Sequence, residues 1–552
     1  MTEPLVIDGK ESTELTGSIA FRHPPVVLLD GSAVLPRDLL GNKGYGINAM
    51  RREGLPVPPA FCITTEVCAQ YFQDPAATTA AIRGEVREKM RWLEAETART
   101  FGAGPRPLLV SVRSGAAQSM PGMLDTVLDL GIDDAVESAL SELHSPEFAQ
   151  DTRQRFCKMY RRIVLGSSAG AVPDDPFAQL GGAVGAVFSS WHSPRAAAYR
   201  KHHGFKEIGG TAVVVQAMVF GNMDTRSGTG VLFSRNPMTG ASEPFGEWLA
   251  CGQGEDVVSG TFDVEPVAAL RAEQPMTYDE LMSAAAILER LATDVQDIEF
   301  TVEQGKLWLL QTRVAKRSAQ AAVRLALEMR DQGIIDDAEV LRRVSSDHVE
   351  TLLQPSLQPE TRLAATLLAT GLPACPGVVS GIAYTDVDEA IDAAESGQDV
   401  ILVRSSTSPD DIHGMMAARG IVTEIGGATS HAAVVSRELH RPTVVGCGMG
   451  TADVLAGREI TVDGTEGEIR EGLLELTAWS ERDSPDLLRL TELAREHSPL
   501  RAYSVGEYPM LPDGSADGVR AALTARLTDV VSPHPLITML TALCLRDTDT
   551  TS

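Results

Sequence analysis

The chain has 552 residues, enough at roughly 100–200 residues per domain for about three or four units, which excludes a lone binding module. Asp and Glu number 75 against 48 Lys and Arg, a formal charge of −27. A field of that sign repels phosphate backbones and anionic lipid, so no nucleic acid and no membrane partner is expected, whereas a nucleotide held by a few local cations and a divalent ion is not excluded. Hydrophobic residues at 43% and charged residues at 22% are those of a folded globular chain. Cys62, Cys68, Cys157, Cys251, Cys375, Cys447 and Cys544 are scattered without a CxxC spacing, the pattern of reduced thiols. The acidic start MTEPLVIDGKESTEL lacks a basic-then-apolar leader, and no apolar run approaches the ~20 residues of a membrane span. A cytoplasmic protein is expected.

From Asp38 to Arg317 short apolar runs, Pro107–Val112, Thr211–Val219 and Lys306–Leu310, alternate with helical stretches, Thr78–Arg99 and Tyr278–Leu291. That mixture marks an α/β or α+β unit. Its first motif, Leu40-Gly-Asn-Lys43-Gly-Tyr-Gly, puts a glycine-flanked lysine at the entry to a helix; it is not a P-loop, lacking GxxxxGK[ST]. Val110-Ser-Val-Arg113-Ser-Gly ends a strand with Arg113 at the mouth of a loop, where a guanidinium suits bidentate phosphate binding. Val215-Gln216-Ala-Met-Val is a strand whose backbone can bond an adenine edge, and Ser227-Gly-Thr229-Gly230 reads as a flexible turn able to lay N–H groups on a phosphate. Each alone is ordinary loop chemistry. Asp297-Ile-Glu299-Phe lies one strand before Leu310-Gln311-Thr-Arg313, and alternation aims Asp297 with Glu299 one way, and Gln311 with Arg313 together. Hard oxygen donors beside a phosphate-binding cation hold Mg²⁺ with substrate phosphates; the plainer alternative is a cross-strand salt bridge on a solvent face.

Residues 318–370 lose strand signals and carry AQAAVRLALEMRDQG and DDAEVLRRVSSDHVETLL, two helices of a connector by their apolar spacing. From 371 to 477 strands return in GVVSGIAY, DVILVR, GIVTE, TVVGCG and EITVDG, the alternation of a compact α/β domain. Within it Gly426-Gly-Ala-Thr-Ser-His431 leaves a strand through two glycines and enters a helix-forming run. His431 is thereby expected at a helix N-terminus, where unpaired N–H groups and the positive macrodipole end favour an anion and lower the imidazolium pKa. A neutral imidazole there is a nucleophile whose phosphoryl adduct those N–H groups would hold; a histidine packed against a turn is the plainer alternative. The last stretch, 478–552, is rich in Pro, Asp and Ser, with two possible helices and no evident chemistry.

The string GGATSHAAVVSRELHRPTVVGCG, with ILVRSSTSPDDIHGMMAARGIVTEIGG before it and GLPACPGVVSG opening the domain, resembles the swivelling phosphohistidine domain of the pyruvate phosphate dikinase and phosphoenolpyruvate synthase family. The N-terminal segments, with FSRNPMTG and GQGEDVVSG between them, resemble the same family's ATP-grasp nucleotide domain. The resemblance implies an α/β and α+β multidomain fold: ATP-grasp over 1–317, helical linker or hinge 318–370, phosphohistidine domain 371–477, and a tail 478–552 similar to a truncated linker to a missing barrel. It further implies that His431 takes a phosphoryl group from ATP. By the same resemblance Lys43, Arg113, Gln216, Glu299, Gln311 and Arg313 bind ATP or its metal, with Asp297, Glu299 and Gln311 on Mg²⁺ and Thr229 and Gly230 in the phosphate-covering turn. Arg155, Glu247, Glu255 and Asp256 match residues around a second, inorganic phosphate. Departures are Ala117-Gln118 for a more basic pair, Leu124 for Met, Met238 for Ser, Ala315 for Gly and Ala428 for Met, of which Met238 bears on the use of phosphate.

Members of the family carry a C-terminal (β/α)₈ barrel for pyruvate or phosphoenolpyruvate; about 75 residues follow the histidine domain here, where a barrel needs about 250. The expectation is an ATP-dependent dikinase-type phosphotransferase. It charges His431, releases AMP, uses phosphate to give pyrophosphate, and passes the group to pyruvate or another small molecule on a separate acceptor-binding protein. A synthase-like enzyme using water and a non-catalytic phosphocarrier or regulatory subunit are the alternatives. A rifampicin-type phosphotransferase needs a drug-binding domain for which the roughly 50 residues between Arg317 and Leu372 leave no room.

Overall fold

A computed structural model describes residues 19–549 except 119, 121–122, 168–169, 203, 206–208, 260–263, 354–355, 358, 478–480, 482–483 and 513. The first sheet orders its five strands Val26–Leu28, Ala60–Ile63, Ala212–Ala217, Val110–Gly115 and Thr126–Leu130. The central run AVVVQA is buried at every position, as a strand covered on both faces must be. One face takes the helices Pro75–Thr97, Pro146–Tyr160 and Pro176–Ser190, whose Val86, Phe156 and Val184 pack on Val112 and Val215. The other face takes the helix Arg37–Arg52, whose Leu40 and Ile47 share a core with Val214 and with Ile298 and Leu309 of the second sheet. That helix is thus the wedge between two sheets.

The second sheet orders Glu265–Pro266, Phe245–Ala250, Gly228–Phe233, Gln296–Glu303 and Lys306–Val314, all antiparallel. Its helix, Pro275–Ala292, buries Leu281, Ala285 and Leu288 at spacings of four and three, the stripe of an amphipathic helix. The expected turn at Ser227–Gly230 is corrected here: Gly228–Phe233 is a strand paired on both sides. Its glycines serve packing, not flexibility. A Cβ on Gly228 would lie 2.2 Å from the Trp248 ring, and one on Gly230 2.5 Å from Phe300. Those two rings stack with centroids 5.9 Å apart.

Among the described residues the connector holds four helices, not two: Ala319–Asp331, Asp337–Arg343, Ser346–Leu352 and Pro359–Ala364. Ser345 divides the expected second helix, because its hydroxyl accepts from His348 N while the His348 ring accepts from Ser345 N, a reciprocal cap that starts a new helix. Strands Ser356–Leu357 and Leu367–Thr370 also fall in this stretch, the latter pairing with Glu468–Glu471 about 100 residues on. The third sheet has eight strands, ordered Leu367–Thr370, Glu468–Glu471, Glu459–Asp463, Val378–Tyr384, Val400–Arg404, Gly420–Thr423, Thr443–Val445 and Leu372–Cys375. Its parallel neighbours, Val378–Tyr384 through Thr443–Val445, are joined by helices that include His431–Leu439.

Beyond it, helices Pro485–His497, Ala516–Thr524 and Pro535–Asp549 alternate with a parallel strand pair, Arg501–Tyr503 and Asp529–Val531. This is more structure than the two helices expected from a Pro- and Asp-rich stretch. Leu487, Leu490 and Leu540 of this tail share one core with Val323, Leu327 and Val349 of the connector. Among the described residues no helix is long and apolar enough to cross a membrane.

Candidate active site

The two five-stranded sheets face each other across a cavity of about 670 Å³. Of the residues singled out from sequence, Lys43, Arg113, Gln216, Thr229, Gly230, Glu255, Glu299, Gln311 and Arg313 line it. Lys43 arrives there through a kink: Gly41 takes φ 67° and ψ 166° inside the helix Arg37–Arg52. A Cβ at Gly41 would sit 1.7 Å from Gly115 O, so only glycine lets the helix abut the strand that carries Arg113. The alternation expected of the last two strands is present, with Asp297 opposite Arg313 and Glu299 opposite Gln311.

Arg113 Nη2 donates to Glu299 Oε2 at 2.7 Å, tying the first sheet to the second, and its Nη1 reaches Gln216 Oε1 at 3.4 Å. Burial pushes the Glu299 carboxyl up, but Arg113, Lys43 and Arg313 together outweigh it and hold the group below the usual carboxylate range. Burial, with Arg113 and Arg313 adding to it, pulls the Lys43 ammonium down to about 7, against the attraction of Glu299. These are cations crowded for a polyanion: a triphosphate entering the cavity would relieve their mutual repulsion.

Asp297 differs from expectation. It is buried, accepts from Arg313 Nε at 2.8 Å, and does not line the cavity. Its alternation partner Glu299 and the facing Gln311 are the oxygen donors that do. Among the described residues no group of three or more His, Cys, Asp and Glu could hold a metal ion unaided. Glu299 and Gln311 fit Mg²⁺ that completes its shell with phosphate oxygens and water.

Of the four residues expected around a second phosphate, Arg155, Glu255 and Asp256 are brought together and Glu247 is not. Glu255 lines the cavity, but Arg155 is held by Asp256 at 2.8 Å, Asp151 at 2.9 Å and Glu255 at 3.6 Å. Asp256 is buried and caps Gln253 N at 2.9 Å. Glu247 faces the third sheet: its carboxylate accepts from Ala428 N at 2.7 Å, from Thr429 N at 3.1 Å and from the Thr429 hydroxyl.

His431 is the first residue of the helix His431–Leu439, with Ser430 accepting from Ala433 N as its cap. Its Nδ1 lies 3.2 Å from Thr407 Oγ1, and its Nε2 is buried without a hydrogen-bond partner among the described residues. Burial pulls the imidazole down to about 4, Arg195 adding slightly and Asp411 opposing. The downward direction is the one expected, and burial is its main cause. Ser408, Pro409 and Asp410, next along the chain from Thr407, line the cavity. Arg195 bridges the same edge, donating to Asp125 at 2.5 Å and Asp410 at 3.1 Å. A shared apolar cluster containing Met123, Trp191, Tyr199, Ile412 and Met415 joins the third sheet to the first-sheet unit. Arg195, Thr407 and Asp410 were not singled out from sequence, since their roles depend on contacts between segments far apart.

Residues 76–277 match the family model described as pyruvate phosphate dikinase, AMP/ATP-binding domain, and residues 397–467 that of the PEP-utilising enzyme, mobile domain. The chain is 40% identical over 511 residues to a pyruvate, phosphate dikinase of Rhizobium meliloti (strain 1021), covering 80% of this chain and 57% of that protein. The chain carries the two domains these models describe and is similar to pyruvate, phosphate dikinases over most of its own length. A pyruvate, phosphate dikinase from Clostridium symbiosum is 40% identical over 503 residues, 81% of this chain and 57% of its own. The chloroplastic pyruvate, phosphate dikinase 1 of Zea mays is 38% identical over 488 residues, 78% of this chain and 52% of its own. The chain spans about half the length of the curated relatives it matches. The family is one of phosphotransferases. The dikinase AMP/ATP-binding match takes in Arg113 and Gln216, and the mobile-domain match takes in Thr407 and His431.

Proposed function

We propose that the chain is an ATP-dependent phosphotransferase of the dikinase type, with His431 as nucleophile. The observation that carries this reading is a buried histidine at a helix start, its Nε2 without a partner among the described residues, beside the segment Ser408–Asp410 that lines a cavity with Lys43, Arg113 and Arg313. When the Nδ1 proton is donated to Thr407, the free lone pair is on Nε2. Attack of Nε2 on the β-phosphorus of ATP breaks the bond to the α–β bridging oxygen, and AMP leaves with that electron pair. Inorganic phosphate then attacks the terminal phosphorus of the histidine-bound diphosphoryl group, pyrophosphate leaves, and one phosphoryl remains on His431. Lys43, Arg113 and Arg313 face the charge that builds on the phosphate oxygens. Glu299 and Gln311 would hold Mg²⁺, which when bound neutralises phosphate charge. Transfer to pyruvate, the substrate in the relatives' name, or to another small acceptor on a separate protein follows.

Arg155, Glu247 and Asp256 lie off the cavity lining, which favours a second reading: water in place of phosphate as acceptor of the terminal phosphoryl group. Incubation with ATP and Mg²⁺, with and without phosphate, separates the two by product: pyrophosphate in one case, free phosphate in the other. Mass spectrometry should find an acid-labile, base-stable adduct on His431 and AMP in solution, and His431→Ala should abolish the adduct while nucleotide still binds. ADP as product, or an adduct that survives in His431→Ala, would overturn the proposal.

A further inference from the structure

A second cleft, of about 580 Å³, lies where the connector, the nucleotide-facing sheets and the histidine-bearing unit meet. In a chain of net charge −27 its lining is strongly basic: Arg37, Arg313, Lys316, Arg317, Arg343 and Arg437, with Glu438 the acid among them. Some of these cations are already matched. Lys316 pairs with Glu438 at 2.5 Å, and Arg317 and Arg343 share Asp294 at 2.7 and 3.3 Å. Two are not. Arg37 lies over the Tyr45 ring and makes no salt bridge among the described residues. Arg437 is 1% exposed; its Nη1 donates to Ala374 O and Ala428 O, while Nε and Nη2 have no partner among the described residues. A buried guanidinium with two idle donor nitrogens is costly unless an acceptor meets them. Burial pulls Arg437 down to about 10, which leaves it charged at neutral pH. The helix Ala319–Asp331 begins beside Arg317 and lines the cleft through Ala322, adding the positive end of its dipole.

The cleft adjoins the first cavity, sharing Asn42, Gln118 and Arg313 with it, but reaches a different end of the histidine-bearing helix. It is lined by Arg437, Glu438 and His440 toward the far end of the helix that His431 begins, roughly 9–13 Å along the axis at ~1.5 Å per residue. We propose that this junction is a second anion site for a compact phosphate-bearing molecule, whose occupancy holds the histidine-bearing unit against the nucleotide-facing sheets. Guanidinium forks from three separate segments suit a tetrahedral dianion better than a planar monocarboxylate. Free phosphate and a phosphate monoester share that chemistry.

Calorimetric titration of the full chain with inorganic phosphate, and separately with glycerol 3-phosphate, tests the site and tells the two sources apart. Saturable binding of either probe is expected. Combining Arg37→Gln with Lys316→Gln should weaken it about tenfold or more, and Lys316→Arg, which keeps the charge and the pair to Glu438, should restore it. Arg113→Gln, a change in the first cavity, should leave this binding in place. Small-angle scattering should show the radius of gyration falling when the probe is added to wild type but not to the double variant. Absence of saturable binding, an unaltered affinity in the double variant, loss of binding in Arg113→Gln, or an unchanged radius would each overturn the proposal. None of these readouts depends on phosphorylation of His431, so failure of the phosphotransferase reading would be seen separately.

Discussion

Glu247→Ala probes how His431 is brought to the cavity. In the structure the carboxylate takes both backbone N–H groups of Ala428 and Thr429, and the Thr429 hydroxyl, two residues before the histidine. Removing it strands three donors in a buried contact, at about 1–3 kcal/mol apiece. Water re-satisfies them once the units part, so the loss falls on the docked arrangement alone. Taking two of these donors at about 1.5 kcal/mol each gives about 3 kcal/mol, a drop of roughly 150-fold in the docked population. Single-turnover labelling of His431 from ATP in a quench-flow apparatus should slow by about that factor, while the ATP dissociation constant stays within about twofold. Glu247→Asp, one methylene shorter, should recover part of the rate. Labelling at the wild-type rate would refute the reasoning. So would a rate restored by excess phosphate, which would place Glu247 at a second phosphate instead.

Lys43, drawn down to about 7 in the free protein, should take up a proton when a polyphosphate binds, because the added negative charge raises its pKa. ATP affinity should therefore fall as pH rises from about 7 to 9, by at most about tenfold per unit; calorimetry in buffers of different ionisation heat measures the uptake, and proton release would contradict it. Gly41→Ala forces a Cβ to 1.7 Å from Gly115 O at a positive φ, and should cost about 2 kcal/mol or more. An unshifted urea midpoint would show that the kink tolerates a side chain. Thr407→Val removes the partner of His431 Nδ1. It should mix the imidazole tautomers seen by ¹⁵N NMR and slow labelling about tenfold without altering ATP binding.

Much of this site was legible in the sequence wherever one segment suffices. Alternation along QDIEF and LLQTR is enough to group Asp297 with Glu299 and Gln311 with Arg313 on neighbouring strands, and two glycines before a helix-forming run are enough to put His431 at a helix start. What was not legible depends on distant partners. Gly228 and Gly230 look like a loose turn until Trp248 and Phe300 are seen against them. Asp297 alternates with Glu299 yet is consumed by Arg313. Glu247 meets a loop 181 residues away, and nothing local to FGEWLA announces it. The tail's parallel strands are short and broken by Gly and Pro, so their pairing is fixed by the core they share with the connector and not by their own pattern.

The connector core and the histidine-bearing unit are joined by two passages of chain, Ser356–Leu357 and Leu476–Thr477, and these passages pair with each other, antiparallel. A single strand would leave the unit free to tumble within a sphere set by its length. A paired strap bends across its plane but resists splaying and sliding, so displacement of the unit follows a track. His431 would return to the cavity mouth along nearly the same arc each time, with little rotational freedom left to lose on arrival. That raises the effective concentration of the imidazole at the phosphates, and it lets contacts as modest as one carboxylate against a loop decide whether the histidine stays.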